Sequence, residues 1–145
     1  MRAEAEQDID RLVQQGLVWR GRAPVQPREA VVSSGLASLD EALGGGWPRG
    51  ALTELLADGP GLSLLLPALA ELGRGDRWLA WVNPPWLPYA PALAEGGVDL
   101  SRVLLIHGRD EAQALWAAEQ ALRSGNCAAV LFWPRQITTA RARRL

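Results

Sequence analysis

Short apolar runs alternate along this chain with capped, amphipathic segments. Residues 4–17 place Ile9, Leu12, Val13 and Leu17 on one helical face and Glu4, Glu6, Asp8 and Asp10 elsewhere, which predicts a short amphipathic helix. The stretch "VWRGRAPVQPREAV" follows, with two prolines and mixed charge, and reads as an extended linker. In "SLDEALGGG", Ser38 and Glu41 have the spacing of a capping box for a helix that turns Leu39 and Leu43 inward, and Gly44 to Gly46 stop it. A strand over 51–56 and a helix over 62–72 come next, with Pro67 confining the regular helix to its own first turn and beyond. A second strand (77–82), the Pro-rich connection "PPWLPYAP", a short helix (89–95) and a third strand (101–106) follow. Asp110 and Gln113 open a helix over 111–123 whose Leu115, Trp116 and Leu122 form an inward stripe ended by Gly125, and "CAAVLFW" is a fourth strand. A last helix starts near residue 138.

Near-continuously apolar strands alternating with helices imply an α/β fold: a parallel sheet covered on both faces, with right-handed crossovers. The expected division is an N-terminal helix and linker over 1–32 and a core over 33–145 that looks incomplete at its C-terminal end.

At 145 residues one domain is expected, and a net charge of −1 gives no global basic field with which to grip nucleic acid. All 15 cations are arginines, a bias that base composition of the genome explains as readily as selection. The one cysteine, Cys127, lies in an apolar run and reads as a small buried residue, so nothing points to an oxidising compartment. The charged N-terminus carries no signal-peptide pattern and no apolar run approaches the ~20 residues that span a bilayer, so a cytoplasmic protein without membrane contact is expected.

The order of strand 51–56, a glycine-containing turn and a Leu-rich helix is that of a phosphate-binding loop, yet its chemistry is missing. Gly59 and Gly61 are present, but Leu62 and Ser63 stand where a Gly-Lys pair is needed, and the loop has no cation of any kind. The second strand ends at Asn83 and two prolines, and the fourth at Trp133 and Pro134, where carboxylates would orient water and hold Mg²⁺. Ser33, Ser34, Ser63, Ser101 and Ser124 lie in no nucleophile elbow, and the one histidine, His107, has no evident nucleophile beside it. The expectation is a non-enzyme with no cofactor, no metal and no catalytic residue.

Function should then lie in surfaces. Of the seven tryptophans, Trp78, Trp81 and Trp116 are expected in the core. Trp86 and Tyr89 sit in a Pro-rich loop at the carboxyl end of a strand, where parallel sheets put their binding crevice, and are the first candidates for a partner. Trp19 in the linker, and Ile9 and Leu12 on the N-terminal helix, are further candidates, the helix face also serving a homo-oligomer. Four arginines gather in "RQITTARARRL"; a helix there would set Arg141 and Arg144 on one side as a weak nucleic-acid contact.

The stretch "SSGLASLDEALGGGWPRGALTELL" resembles the opening of the RecA-type core, and the resemblance continues to residue 134. With "VWRG", "GGGWPRGALTELL", "LPYAPAL", "GVDLSR" and "ALWAAEQALRSG", the chain looks like a member of the ImuA family, RecA-like accessory proteins of the bacterial mutasome. That resemblance implies a RecA-like fold, a damage-induced (SOS) setting and a non-catalytic role in error-prone translesion DNA synthesis. The implied partners are an ImuB-type Y-family polymerase homologue and a C-family error-prone polymerase, with RecA a further candidate. The alternative is a SulA-like cell-division inhibitor, similar from about residue 51 onward, that blocks polymerisation of the division protein FtsZ by covering its surface. Residues 17–50 are expected to discriminate the two, because a SulA-like chain would not need them.

Overall fold

The computed structural model describes residues 11, 30–57, 59, 61–136, 138–143 and 145, without the side chain of Arg141. The expected helix carrying Ile9 and Leu12, and Trp19 in the linker, lie outside the described residues.

Two short strands, β1 (Val31–Val32) and β2 (Trp47–Pro48), pair antiparallel around helix α1 (Ala37–Leu43). Gly44 ends α1 in the left-handed region, at φ 75°, and its N–H reaches back to the carbonyls of Asp40 and Glu41, as the glycine run predicts. The expected Ser38 capping box does not form: Leu36 is the cap residue and no side chain bonds there. Asp40 instead accepts from Ser33 Oγ at 2.6 Å and from the backbone N–H of Ser34 at 2.8 Å. Serine and aspartate compete locally for such bonds, and here the serines ahead of the helix fold back on its first turn.

A 3₁₀ turn at Leu62–Leu64 leads into α2 (Leu66–Leu72), with Pro67 in its first turn. Then come β3 (Trp78–Val82), α3 (Ala90–Glu95), a second 3₁₀ turn (Leu100–Arg102), β4 (Val103–Ile106), α4 (Glu111–Arg123), β5 (Cys127–Phe132) and α5 (Thr139–Ala142). The sheet is parallel in the order β4-β3-β5, with Ala80 opposite Leu104 and Val130, so β3 is its centre. Alternation along β3 splits the core in two. Leu79 and Trp81 pack with Leu69 of α2 and Leu93 of α3 on one face, and Val82 packs with Ala114 and Ala118 of α4 on the other. Val32 and Trp47 form a third cluster with Ala68 of α2, which fixes the β1–β2 unit to the sheet layer.

Three expectations need correction. Residues 51–57 form no strand and are exposed, so among the described residues the parallel sheet has three strands and not four. The apolar run suggested a strand, but a strand is made by a partner edge, and none pairs with it. Within the α4 stripe Leu115 is buried whereas Trp116 is 62% exposed and Leu122 is exposed, because the buried arc is set by Ala114, Leu115, Ala118 and Glu119, and Trp116 points away from it. Trp78, at the first position of β3 before the helices cover it, is 40% exposed and not core. Cys127 is half-buried, and burial pushes its thiol pKa up.

An aromatic pocket as candidate functional site

The end of β3 is built around Asn83, the one described non-glycine residue in the left-handed region, at φ 51°. Its N–H donates to the carbonyl of Ile106 at 2.9 Å, and its Oδ1 accepts from the N–H of Gly108 at 2.8 Å. One side chain therefore ties the loop after β3 to the loop after β4. Gly108 has no room for a side chain, because a Cβ there would meet the backbone N of Ala114 at 2.6 Å. Beyond Asn83, Pro84, Pro85 and Pro88 fix their own φ angles and restrict the residues before them, so the loop to α3 is stiff without regular hydrogen bonding.

That loop frames a cavity of about 250 Å³. Trp81, wholly buried, contributes from the sheet. Trp133, held by its N–H donating to the carbonyl of Val82 at 3.1 Å, and Leu62 form walls. The two indoles lie 6.0 Å apart between centroids and are tilted by 48°, within the range of favourable aromatic pairs. Trp86, 62% exposed, Leu87 and Tyr89, 73% exposed, make the rim. No carboxylate, imidazole, thiol or cation is among the lining residues, so the site offers mainly apolar area, with the phenolic hydroxyl of Tyr89 and the indole N–H groups of its tryptophans as polar groups. Such a lining suits contact with apolar groups.

The sequence candidates fall out unevenly. Trp86 and Tyr89 are brought together on this rim. Of the glycine-loop residues, Gly61 opens the 3₁₀ turn at φ 60°, Ser63 is exposed and Leu62 lines the pocket. Gly59 is exposed. His107 is exposed and has no place in the pocket. Arg144 and the side chain of Arg141 lie outside the described residues; Arg143 is exposed, and the backbone N–H of Arg135 donates to Glu111 Oε1 at 3.0 Å. Sequence reasoning missed Leu62, Trp81 and Trp133 as pocket residues. The signal was present, since Trp81 and Trp133 both sit near the carboxyl ends of parallel strands, but each was read singly, one as core and one as a lost carboxylate. Among the described residues no three His, Cys, Asp or Glu side chains could hold a metal ion, and no helix is long and apolar enough to cross a membrane.

The segment that contains this pocket decides the kinship: the family model "Cell division inhibitor SulA" matches residues 50–145. The chain belongs to the SulA family. It is 40% identical over 90 residues to the cell division inhibitor SulA of Edwardsiella piscicida, covering 61% of this chain and 54% of that one. The SulA of Pectobacterium carotovorum subsp. carotovorum (strain PC1) is 35% identical over 100 residues, 66% of this chain and 60% of that one. The chain thus spans little more than half the length of these relatives. The crystal structure of SulA from Pseudomonas aeruginosa is similar with a TM-score of 0.56 and 34% identity, over 67% of this chain and 86% of that one. The RecA protein of Picosynechococcus sp. is 31% identical over 120 residues, 80% of this chain but 34% of that one.

These findings overturn the ImuA resemblance, and with it the translesion role and the two mutasome polymerases as partners. Most of the quoted motifs, "LPYAPAL", "GVDLSR" and "ALWAAEQALRSG" among them, lie inside the matched 50–145 and so are no mark against SulA. The upstream segment used to separate the two families precedes the match, and its presence does not exclude a SulA chain.

Proposed function

We propose that this SulA-family chain inhibits cell division without catalysis, by covering a surface of the division protein FtsZ and so blocking its polymerisation. The observation that carries this reading is the stiff, solvent-facing aromatic rim of Trp86, Leu87 and Tyr89 over an apolar pocket, within the segment shared with the family. Rigid aromatic anchors beside an apolar pocket are what tight protein interfaces are built on. The pocket holds no carboxylate, imidazole, thiol or cation, which favours occlusion over chemistry. The setting is the SOS response, in which the inhibitor would be made when DNA is damaged. The parallel sheet is best read as part of a RecA-like fold, a reading that the similarity to RecA supports.

Sedimentation of FtsZ polymers is the direct test. The wild-type chain should leave FtsZ in the supernatant, and a Trp86→Ala/Tyr89→Ala double variant with an unchanged circular dichroism spectrum should leave it in the pellet. A double variant that inhibits as well as wild type removes the pocket from the mechanism, and a wild-type chain without effect on assembly removes FtsZ.

A further inference from the structure

The loop that carries the aromatic rim is hydrogen-bonded at its two ends and not between them. At the far end the carbonyl of Tyr89 accepts from the N–H groups of Ala92 and Leu93, at 3.1 and 3.2 Å, in the first turn of α3. At the near end stands Asn83, bonded through its own N–H to Ile106 and through Oδ1 to Gly108. Among the described residues 84–88 make no backbone hydrogen bond, and the three prolines there have no N–H to give. Asn83 also has an unusual backbone for its place. A residue before proline favours an extended φ of about −120°, whereas Asn83, directly before Pro84, sits at 51°. Backbone held against such preferences persists only where its surroundings over-determine it, and positions of that kind gather at binding sites. We propose that Asn83 is the positioning residue of the rim: its side chain, bonded to Gly108, holds Trp86 in the geometry that binds FtsZ.

This role rests on the reading of the rim as the FtsZ-binding surface. Rigidity behind the side-chain bond is what lets it place a loop. Gly108 lies against the start of α4, where a Cβ on it would meet the backbone N of Ala114 at 2.6 Å, and Ala114 is itself wholly buried with Val82. The amide that Asn83 grips is therefore fixed by the core. From Asn83 the chain passes through Pro84 and Pro85, whose ring-fixed φ angles carry its direction to Trp86 with few free torsions. Loss of the side chain leaves the N–H of residue 83 on Ile106 and the strand pairing intact, so the sheet stays while the loop is free to turn at its first residue. A rim that holds the binding geometry for a fraction of the time has its affinity lowered by that fraction.

Three variants separate placement from stability. Asn83→Gly tolerates the left-handed backbone and loses the side-chain bond, whereas Asn83→Asp tolerates it and keeps an acceptor oxygen. Val32→Ala removes core volume in the β1–β2 cluster, outside the rim. Each is measured, at a temperature where it is folded, for affinity for FtsZ and for the Trp86 indole N–H resonance, assigned by its loss in Trp86→Phe. Asn83→Gly should lose about tenfold in affinity, as a rim competent about a tenth of the time requires, and should shift or broaden the Trp86 resonance. Asn83→Asp should match wild type in both, and so should Val32→Ala despite its lower denaturation midpoint. Should Asn83→Gly fail to fold, Pro85→Gly, which keeps the bond and frees the link to Trp86, should move the resonance in its place. Wild-type affinity in Asn83→Gly, an unmoved Trp86 resonance, an Asn83→Asp as weak as Asn83→Gly, or an equal loss in Val32→Ala would each overturn the positioning role. A wild-type chain that does not bind FtsZ would instead remove the partner, and the Trp86 resonance would still decide whether Asn83 places the rim.

Discussion

Trp81 and Trp86 stand five residues apart and do opposite work. Trp81 is wholly buried between the sheet and α2 and α3, so Trp81→Ala should cost about 3–5 kcal/mol, read as a loss of denaturation midpoint at unchanged m value. Trp86→Ala, at a solvent-facing rim, should stay within about 0.5 kcal/mol of wild type and reveal itself only in binding. Asn83 invites a second comparison. Asn83→Ala keeps the left-handed backbone without a side chain suited to it and leaves the N–H of Gly108 unpaired, for a cost of about 1–3 kcal/mol, while Asn83→Gly should lose the bond alone. Equal losses in the two variants would show that strain plays no part. Asp40 supplies the pH dependence. The Ser33 hydroxyl, then Ser34, hold its carboxyl below the ordinary value of 3.8. A depressed folded value means stability that is present above the unfolded pKa and lost as pH falls through the folded one. The difference in melting temperature between wild type and Asp40→Asn should therefore be constant near neutrality and shrink only below about pH 4; a constant difference down to pH 2 would remove the linkage.

Elements were legible wherever a local signal and a packing partner agreed. Asp110 caps α4 by accepting from the N–H of Gln113 at 2.8 Å, and Asp110→Ala should cost about 1 kcal/mol, measured by denaturation. In the reciprocal half of the box Gln113 Oε1 accepts from Arg109 at 3.2 Å, one residue earlier than the ideal pattern, so Gln113→Ala should cost less than Asp110→Ala. Where the signal was local but the outcome was not, the reading failed. Ser38 had the spacing of a cap, but Ser33 and Ser34 had already engaged the first turn of α1 through Asp40. Residues 51–56 had the composition of a strand without a partner edge in the sheet, and no property of the six residues alone reveals that. Trp116 lay within the apolar spacing of α4, yet two alanines, Ala114 and Ala118, bring the helix against β3 and β5 and turn the indole outward. Small residues at a helix–sheet contact leave a weaker trace in a hydropathy pattern than large ones, so the wrong side chains were given the core.

At the scale of the molecule, the parallel α/β layering and the crevice at the carboxyl end of the strands followed from periodicity, because those are set by the order of elements. The pocket itself did not, because Leu62, Trp81 and Trp133 come from separate segments and meet only in three dimensions. Nor was the choice between two related families legible, since it was made on residues upstream of the part the SulA family shares. The proposed occlusion of FtsZ by this apolar pocket has one consequence. Occlusion consumes a site for as long as it lasts, so inhibition must be stoichiometric. Titrating the chain into a fixed amount of FtsZ well above the dissociation constant should lower the assembled fraction in proportion to the chain added, and reach its floor near a fixed molar ratio. The titration should not change with incubation time, because binding at about 10⁵–10⁷ M⁻¹s⁻¹ is complete in seconds at micromolar concentrations. Diluting the mixture should restore assembly, since nothing covalent has happened to either protein. Inhibition by a few per cent of the chain that deepens with time and survives dilution would instead require turnover, and an occluding pocket could not be its cause.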